Sequence, residues 1–283
     1  MSDPAGTPSG VDFNTPSVAR GYDHLLGGKD NYPVDRQVTE MLLQVAPEAQ
    51  LTARANREFG ARAARCIAEQ GIGQFIDLGS GIPTSPPAVH EVVRAIDPAV
   101  RVVYVDHDPV VVAHSHALRS IGPGLTTVLA DIRRTEAILH HRDVLEIIDW
   151  DERVGVIIFS VLDLIENPGE IVGRFRERMV PGSFLGISHL SARSDQDAID
   201  HTHQISEQTG FPWVEFRDDK AVLELFKGCE LVEPGLVNIS EWRPVHDAPS
   251  TKIKLVGAVG RRHGSTPDRH RHRLLRLAAK PFS

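Results

Sequence analysis

The chain has 283 residues, 41% of them hydrophobic and 24% charged, which is the composition of an ordinary globular protein with one large core. Its formal charge of −7 argues against a nucleic-acid-binding body, and no apolar run approaches the roughly 18 residues that a membrane span needs. The polar start MSDPAGTPSG lacks the order of a signal peptide. We therefore expect a cytoplasmic protein with no membrane span and no strong nucleic-acid signal, and the sequence leaves its oligomeric state open.

The two ends of the chain differ in composition from its middle. Residues 1–15 are rich in Pro, Gly, Ser and Thr, which predicts a disordered leader. Residues 16–70 carry apolar residues at helical spacing in three stretches and form a predicted N-terminal helical segment, or lid. Residues 261–283 hold seven Lys and Arg against one acid, which predicts a basic tail that is either solvated or in contact with an acidic partner, RNA or a membrane surface.

Beyond Gly71 the apolar spacing changes, and seven strand-like runs follow. They lie at 74–78, 100–106, 125–131, 154–160, 183–189, 230–237 and 252–259. Helix-length segments separate the first five, at 86–96, 108–120, 133–149 and 167–179. This alternation predicts an α/β fold with a seven-stranded, mostly parallel sheet, and the short link between the last two runs predicts one antiparallel edge strand. Residues 191–228 form a predicted helical insertion placed to cover a substrate.

An acid stands at the end of each of the first three predicted strands, at Asp77, Asp106 and Asp131. In an open parallel sheet ligands bind outside the carboxyl ends of the strands. Since these ends share one edge of the sheet, we expect the three carboxylates to surround one pocket for a positively charged nucleoside.

The run FIDLGSGIPT places Gly79, Ser80 and Gly81 directly after the first strand, where glycines let the backbone pass close to a ligand. A dinucleotide site needs G-x-G-x-x-G, but Thr84 occupies the position of the third glycine. An acid at Asp77 repels a pyrophosphate and attracts a cationic ligand. The turn therefore favours S-adenosylmethionine, with its ammonium and sulfonium groups, over NAD, although a glycine-rich turn by itself is common in α/β proteins.

The next two strand ends supply the nucleoside contacts. Asp106 is expected to accept from vicinal ribose hydroxyls, while Asp108, followed by a proline, has the pattern of a helix N-cap. Asp131 is expected to accept from the exocyclic amine of adenine, with the N–H of Ile132 donating to a ring nitrogen. The alternative for Asp131 is a second helix cap.

The motifs DLGSG, YVDHDP and ADIR resemble the cofactor motifs of class I methyltransferases, which have a Rossmann-like sheet. The finer pattern is similar to one actinobacterial family of S-adenosylmethionine-dependent methyltransferases, formerly a domain of unknown function. The residues that carry this likeness are 16–36, 53–59, 74–84, 102–112, 130–133, 181–190 and 230–244. The resemblance implies a methyltransferase domain over 71–260 and S-adenosylmethionine as cofactor, but no substrate.

Three further residues complete the predicted cofactor site: His107, Ser160 and Asn31. Asn31 and Tyr32 follow Gly27-Gly28 and can fold over the cofactor to exclude water, although these glycines can equally well just terminate a helix.

One departure from the resembled family concerns the acceptor. Such proteins often have a V-L-H-H-I turn after the fourth strand, where this chain has V-L-D-L-I at 161–165. Asp163 is a candidate base in place of those histidines, and His189, at the end of the fifth strand, is a second catalytic candidate. His201 and His203 lie two apart on a predicted helix and so form a poor metal pair; no metal site is predicted.

Three functions are consistent with these patterns. The first is methyl transfer from S-adenosylmethionine to an unidentified acceptor, expected to be a small molecule. The second is a catalytically silent module that binds adenosylmethionine or adenosylhomocysteine, which the altered turn at Asp163 suggests. The third, an NAD-dependent oxidoreductase, lacks the third glycine.

Overall fold

The computed structural model describes residues 12, 14–83, 87–118, 122–246 and 250–264. Most of the predicted leader at 1–15 and most of the predicted tail at 261–283 lie outside these residues. No helix in the described ranges combines the length and the apolarity needed to cross a membrane.

The described chain begins with three helices: α1 (Val18–Leu25), α2 (Pro33–Val45) and α3 (Ala49–Glu69). Pro33 opens α2 at a position where its missing N–H costs nothing. The buried Asp35 near the start of α2 accepts the backbone N–H groups of Ser17 and Tyr32, both at 2.8 Å, and its Oδ2 lies 2.9 Å from Nε of Arg20. This carboxylate therefore fixes α1 against α2.

A mostly parallel sheet follows, and the predicted class I methyltransferase fold is confirmed. Its strands are β1 (Gln74–Leu78), β2 (Arg101–Asp106), β3 (Leu125–Leu129), β4 (Gly155–Phe159), β5 (Phe184–Leu190), β6 (Cys229–Leu231), β7 (Val237–Asn238) and β8 (Leu255–Arg262). Their order is β3-β2-β1-β4-β5-β8-β6, with β7 paired to β8. The first five are parallel, and β8 runs antiparallel to β5, β6 and β7.

The sixth predicted run differs in detail from the structure. Residues 230–237 were expected to form one strand, but a turn at 233–234 divides them into β6 and β7. Both short strands pair with β8, so β8 lies one place in from the edge of the sheet. The count therefore rises from seven strands to eight without a change in topology.

Helices cover both faces of the sheet. They are α4 (Val89–Arg94), α5 (Pro109–Leu118), α6 (Thr135–Leu139), α7 (Arg142–Ile147) and α8 (Pro168–Arg178), and the insertion adds α9 (Gln196–Thr209) and α10 (Asp219–Leu225). The segment 133–149, expected to be one helix, breaks into α6 and α7 because the side chain of His141 accepts the N–H of Asp143 and starts a new helix. One face of the core centres on Trp150 and Phe175, and the other on Phe59 and Trp242.

The central strands leave no room for larger residues, and this allows a test of the packing. A β-carbon on Gly155 in β4 would lie 2.7 Å from the ring of Phe75, whereas one on Gly173 in α8 would meet nothing closer than 3.7 Å. We expect Gly155→Ala to lower the free energy of unfolding by about 1–3 kcal/mol. The matched control Gly173→Ala should raise it by about 0.5–1 kcal/mol, because alanine is the better helix former. Urea denaturation of both variants measures the difference; equal stability would contradict this packing.

Candidate active site

A cleft opens at the carboxyl ends of β1, β2 and β4, and residues of α1 and α3 cover it. Its lining residues are Val18, Ala19, Tyr22, Asn56, Arg57, Gly60, Ala61, Asp77, Gly79, Ser80, Gly81, Pro87, Ala88, Val89, Asp106, His107, Phe159, Ser160, Val161 and Leu164. Of the ten predicted cofactor contacts, the structure brings seven into this cleft: Asp77, Gly79, Ser80, Gly81, Asp106, His107 and Ser160.

The turn after β1 is tied to the neighbouring strand. The N–H groups of Gly79 and Ser80 donate to the carbonyl of Val105 in β2, at 2.7 and 3.2 Å. Gly79 has a φ of +76°, and a β-carbon there would lie 2.2 Å from Cγ2 of Val161. Only glycine suits this position, and the backbone itself forms the wall of the cleft.

Asp106 is a buried carboxylate at the centre of the cleft. Its Oδ2 accepts the N–H of Gly81 at 2.9 Å, and its Oδ1 accepts the N–H of Asp108 at 3.0 Å. Burial raises the pKa of Asp106 above its usual range, although the two N–H groups and the neighbouring His107 act in the opposite direction. Since each carboxylate oxygen has a further lone pair, the group can accept from two adjacent hydroxyls.

Asp108 caps α5, as its spacing predicts. Its Oδ1 accepts the N–H of Val110 at 2.8 Å, and its Oδ2 accepts the hydroxyl of Ser17 at 2.6 Å. The second bond attaches the start of α1 to the sheet edge, so the capping acid also holds part of the cover over the cleft.

Arg57 of α3 is a cleft residue that the sequence patterns did not single out. Its guanidinium donates to the carbonyls of Ser80 and Ile82, at 3.4 and 3.3 Å, and lies 5.5 Å from the ring centre of Tyr22. Its Nε is buried and has no hydrogen-bond partner among the described residues. A buried cationic donor without a partner is costly, so this part of the cleft is suited to an anionic group such as a carboxylate. The only signal in the sequence is that Arg57 belongs to the family-like stretch ARANREF.

A buried polar network continues from α1 to β4. The hydroxyl of Tyr22 donates to the carbonyl of Ala53 and accepts from Nδ2 of Asn56, which also donates to Oγ of Ser160 at 3.1 Å. Oδ1 of Asn56 accepts the hydroxyl of Ser188 at 2.6 Å. Ser160 has a φ of +51°, an uncommon conformation for a residue other than glycine, and its N–H bonds to Ser188 hold it there.

A second cavity adjoins the cleft across this network. Five residues line both spaces: Val18, Tyr22, Asn56, Ser160 and Leu164. Its remaining walls are mainly apolar side chains of α2, α3, α9, the segment 211–216 and the region around β8. Asp163 is the acid in this lining.

Asp163 is held by a chain of buried groups. Its Oδ1 accepts the N–H of Leu190 at 2.7 Å and lies 2.8 Å from Nδ1 of His189. Nε2 of His189 lies 2.8 Å from Nη1 of Arg217. The guanidinium of Arg217 also donates to the backbone carbonyls of Leu162, Ile165 and Glu166. Because an arginine can only donate, Nε2 must accept, and the proton of the neutral ring lies on Nδ1 facing Asp163. His189 is fully buried and is not among the lining residues of either cavity, and it is connected to the second cavity through Asp163.

Asp131 and Ile132 lie outside the cleft lining. Arg133 donates from Nε and Nη2 to both oxygens of Asp131, at distances of 2.6–3.0 Å, and this pairing holds the pKa of Asp131 below its usual value. Ile132 packs into the hydrophobic core. Asp131 remains within electrostatic range of His107, which does line the cleft. The position of Asp131 at the end of a strand did not predict its ion pair with Arg133.

Asn31 also lies outside the lining. Its Nδ2 donates to Oδ2 of Asp23 at 2.8 Å, and its Oδ1 accepts Nη1 of Arg36 at 2.9 Å. The Gly27–Tyr32 segment is therefore held against α1 and α2 by its own side chains.

The two histidines of α9 are not among the lining residues of either cavity. His203 forms a hydrogen bond with the carbonyl of Val214, and His201 with that of Asp197.

Comparison with known proteins identifies the family of the chain. The profile of the S-adenosyl methyltransferase family matches residues 4–263. A crystal structure of a protein from Thermobifida fusca YX, assigned as a methyltransferase, is 34% identical, with a TM-score of 0.85 over 92% of this chain and 100% of its own. A DUF574 family protein from Streptomyces avermitilis MA-4680 is 32% identical, with a TM-score of 0.82 over 89% and 99%. None of the curated proteins matches the chain.

A more distant neighbour shares the fold. The plantazolicin methyltransferase BpumL, solved with a desmethylPZN analogue and SAH, is 12% identical, with a TM-score of 0.51 over 87% of this chain and 96% of its own.

Three features of the cleft bear on its ligand: the wall formed by the glycine turn, the buried acceptor Asp106 and the unpartnered Nε of Arg57. They suit a ligand that combines a ribose with an amino-acid carboxylate. The chain belongs to the S-adenosyl methyltransferase family, and its cofactor is S-adenosylmethionine.

Proposed function

We propose that the protein is an active enzyme that transfers the methyl group of S-adenosylmethionine to a small-molecule acceptor. The observation that carries this proposal is the junction between the two cavities, where Tyr22, Asn56 and Ser160 line both. A cofactor in the cleft and an acceptor in the second cavity would meet at these residues.

We assign the cofactor contacts along the cleft as follows. Asp106 accepts from the ribose hydroxyls, and Arg57 donates from Nε to the amino-acid carboxylate. Asp77 supplies negative charge near the ammonium group, beside the wall formed by Gly79, Ser80 and Gly81. His107 would hold the adenine end together with Asp131 and the N–H of Ile132, provided that the ion pair with Arg133 leaves these two residues accessible.

The chemistry asks little of the protein beyond alignment. A bound sulfonium supplies a methyl group that is already activated, so no catalytic dyad is needed to generate it. The residues of this chain orient the acceptor and keep water away. Val18 and Tyr22 of α1 cover the junction, and the Asn56 network holds Tyr22 and Ser160 in fixed positions.

The shape of the second cavity supports a small acceptor. It measures about 160 Å³ and is walled by helices α1, α2, α3 and α9, so a folded macromolecule cannot enter it.

The competing function is a catalytically silent module that binds the cofactor without transferring its methyl group. The altered turn at Asp163 is the feature that keeps this alternative open.

Asp106→Asn tests the ribose assignment. The substitution removes one anionic acceptor while keeping the size of the side chain, so adenosylhomocysteine binding should weaken by about 1–3 kcal/mol. The affinity for methylthioadenosine, which has the ribose but no amino-acid group, should fall by the same factor. Isothermal titration measures both, with the exposed Asp143→Asn as control. Unchanged binding of methylthioadenosine would remove Asp106 from the ribose site.

Arg57→Met tests the carboxylate assignment on the same two ligands. Loss of the charged donor should weaken adenosylhomocysteine binding by about 1.5–3 kcal/mol. The affinity for methylthioadenosine, which lacks the carboxylate, should stay within about twofold of that of the unaltered protein. Arg54→Met is the matched control, because Arg54 is exposed on the same helix and lies outside both cavities. An equal loss for both ligands would mean that Arg57 shapes the turn without contacting the carboxylate.

Methyl transfer itself is tested with S-adenosylmethionine labelled in the methyl group and a cell extract separated by size. We expect label in the low-mass fraction and its loss in the Arg57→Met variant at low cofactor concentration. Label confined to protein or nucleic acid would contradict a small acceptor. Tight binding of adenosylhomocysteine with no labelled product in any fraction would favour the silent module.

A further inference from the structure

The second cavity is lined by Asp163, a carboxylate whose bonding is incomplete. Asp163 is 3% exposed, and its Oδ1 is saturated by Leu190 and His189, but no described residue donates to its Oδ2. A carboxylate that is largely removed from water in apolar surroundings is stabilised when a donor meets its remaining oxygen. A molecule that fills this cavity can supply that donor.

The other polar side chains in the lining are already engaged. The hydroxyls of Thr39, Thr52 and Thr202 each donate to a backbone carbonyl, at 2.7, 3.1 and 2.7 Å. Tyr22 and Asn56 bond to each other and to their neighbours. The cavity thus offers apolar contact on most sides, a carboxylate acceptor at Asp163 and, at the junction with the cleft, the hydroxyl of Ser160, which accepts from Asn56.

The size of the cavity limits the part of the ligand that enters it. Its volume is about 160 Å³. An apolar cavity of about 150 Å³ is large enough to bind benzene. The inserted part is therefore about as large as one six-membered ring or a short branched chain.

We infer that the acceptor is an apolar-bodied molecule with a single hydroxyl or amine that donates a hydrogen bond to Oδ2 of Asp163. This inference rests on the proposed methyl transfer and names its substrate class. His189 and Arg217 act as positioning residues, because they fix the carboxylate with Oδ1 turned towards the protein. A carboxylate-bearing acceptor is disfavoured, since it would bring a second negative charge next to Asp163.

The same contact gives Asp163 a place in the reaction. As the bond between the acceptor oxygen or neutral amine nitrogen and the methyl carbon forms, the sulfur–methyl bond breaks and its electron pair stays on sulfur. The proton of the acceptor passes to Oδ2 of Asp163. No further co-reactant is required.

Four one-ring probes test the inference on the protein saturated with adenosylhomocysteine: benzyl alcohol, benzylamine, toluene and benzoate. Ligand-observed NMR titration should show the alcohol, the amine or both binding about tenfold more tightly than toluene, with benzoate weakest. The tighter of the two donors assigns a hydroxyl or an amine acceptor. Equal binding of all four, or no binding of any, overturns the inference.

Asp163→Asn separates recognition from a structural role. The amide oxygen can keep the bonds to Leu190 and His189, which turns the amide NH₂ towards the cavity. We expect the affinity for benzylamine to fall about tenfold and the affinity for benzoate to rise. Loss of structure cannot produce opposite changes for the two probes. The exposed Asp200→Asn is the matched control. Thr202→Phe, which fills the cavity from α9, should abolish binding of all probes while adenosylhomocysteine still binds.

These measurements keep the two proposals apart. If adenosylhomocysteine shows no affinity, the four probes are titrated on the ligand-free protein, and the expected order there would end the methyl-transfer function and leave the ligand class of the cavity intact. Normal adenosylhomocysteine binding without opposite changes for benzylamine and benzoate in Asp163→Asn would overturn only the acceptor assignment.

Discussion

The attachment of the turn after β1 to strand β2 fixes the floor of the cleft proposed for the cofactor. Gly79 and Ser80 donate to the carbonyl of Val105, and Gly81 donates to the carboxylate of Asp106. Both strands are buried and paired in parallel register, so the turn cannot move without breaking bonds in the interior. The floor of the cleft therefore has the rigidity of the sheet, and the carboxylate of Asp106, the proposed acceptor for the ribose, is held in place by backbone N–H groups.

The N-terminal helices are joined to this floor by buried polar side chains. Asp108 caps α5 and accepts from Ser17, whose backbone N–H in turn donates to Asp35. Asp35 pairs with Arg20. Removing one member of such a chain leaves a buried charge without its partner, which costs about 3–5 kcal/mol. The cover of the site is thus part of the same cooperative unit as the sheet.

Each of the two cavities is lined by a residue with a polar atom whose bonding is incomplete. Arg57, whose Nε has no partner among the described residues, lines the cleft, and Asp163, whose Oδ2 accepts from no described residue, lines the adjoining cavity. Each lowers the stability of the ligand-free protein, because a buried polar group without a partner forfeits its hydration. A ligand that completes their bonding recovers this free energy, and the same groups then discriminate against molecules of the wrong charge.

The sequence by itself determined the parallel sheet, the family, the cap at Asp108 and the meeting of Asp77 and Asp106 in one cleft, because strand alternation and strand-end position depend on local spacing and bring one edge of the sheet together. Spacing could not place Arg57, which reaches the cleft from a helix that precedes the sheet. Nor could it show that Arg133 pairs with Asp131 or that His189 and Arg217 hold Asp163. Only the tertiary structure decided these contacts, because they depend on which helix face meets the sheet and on which side chains compete for each carboxylate.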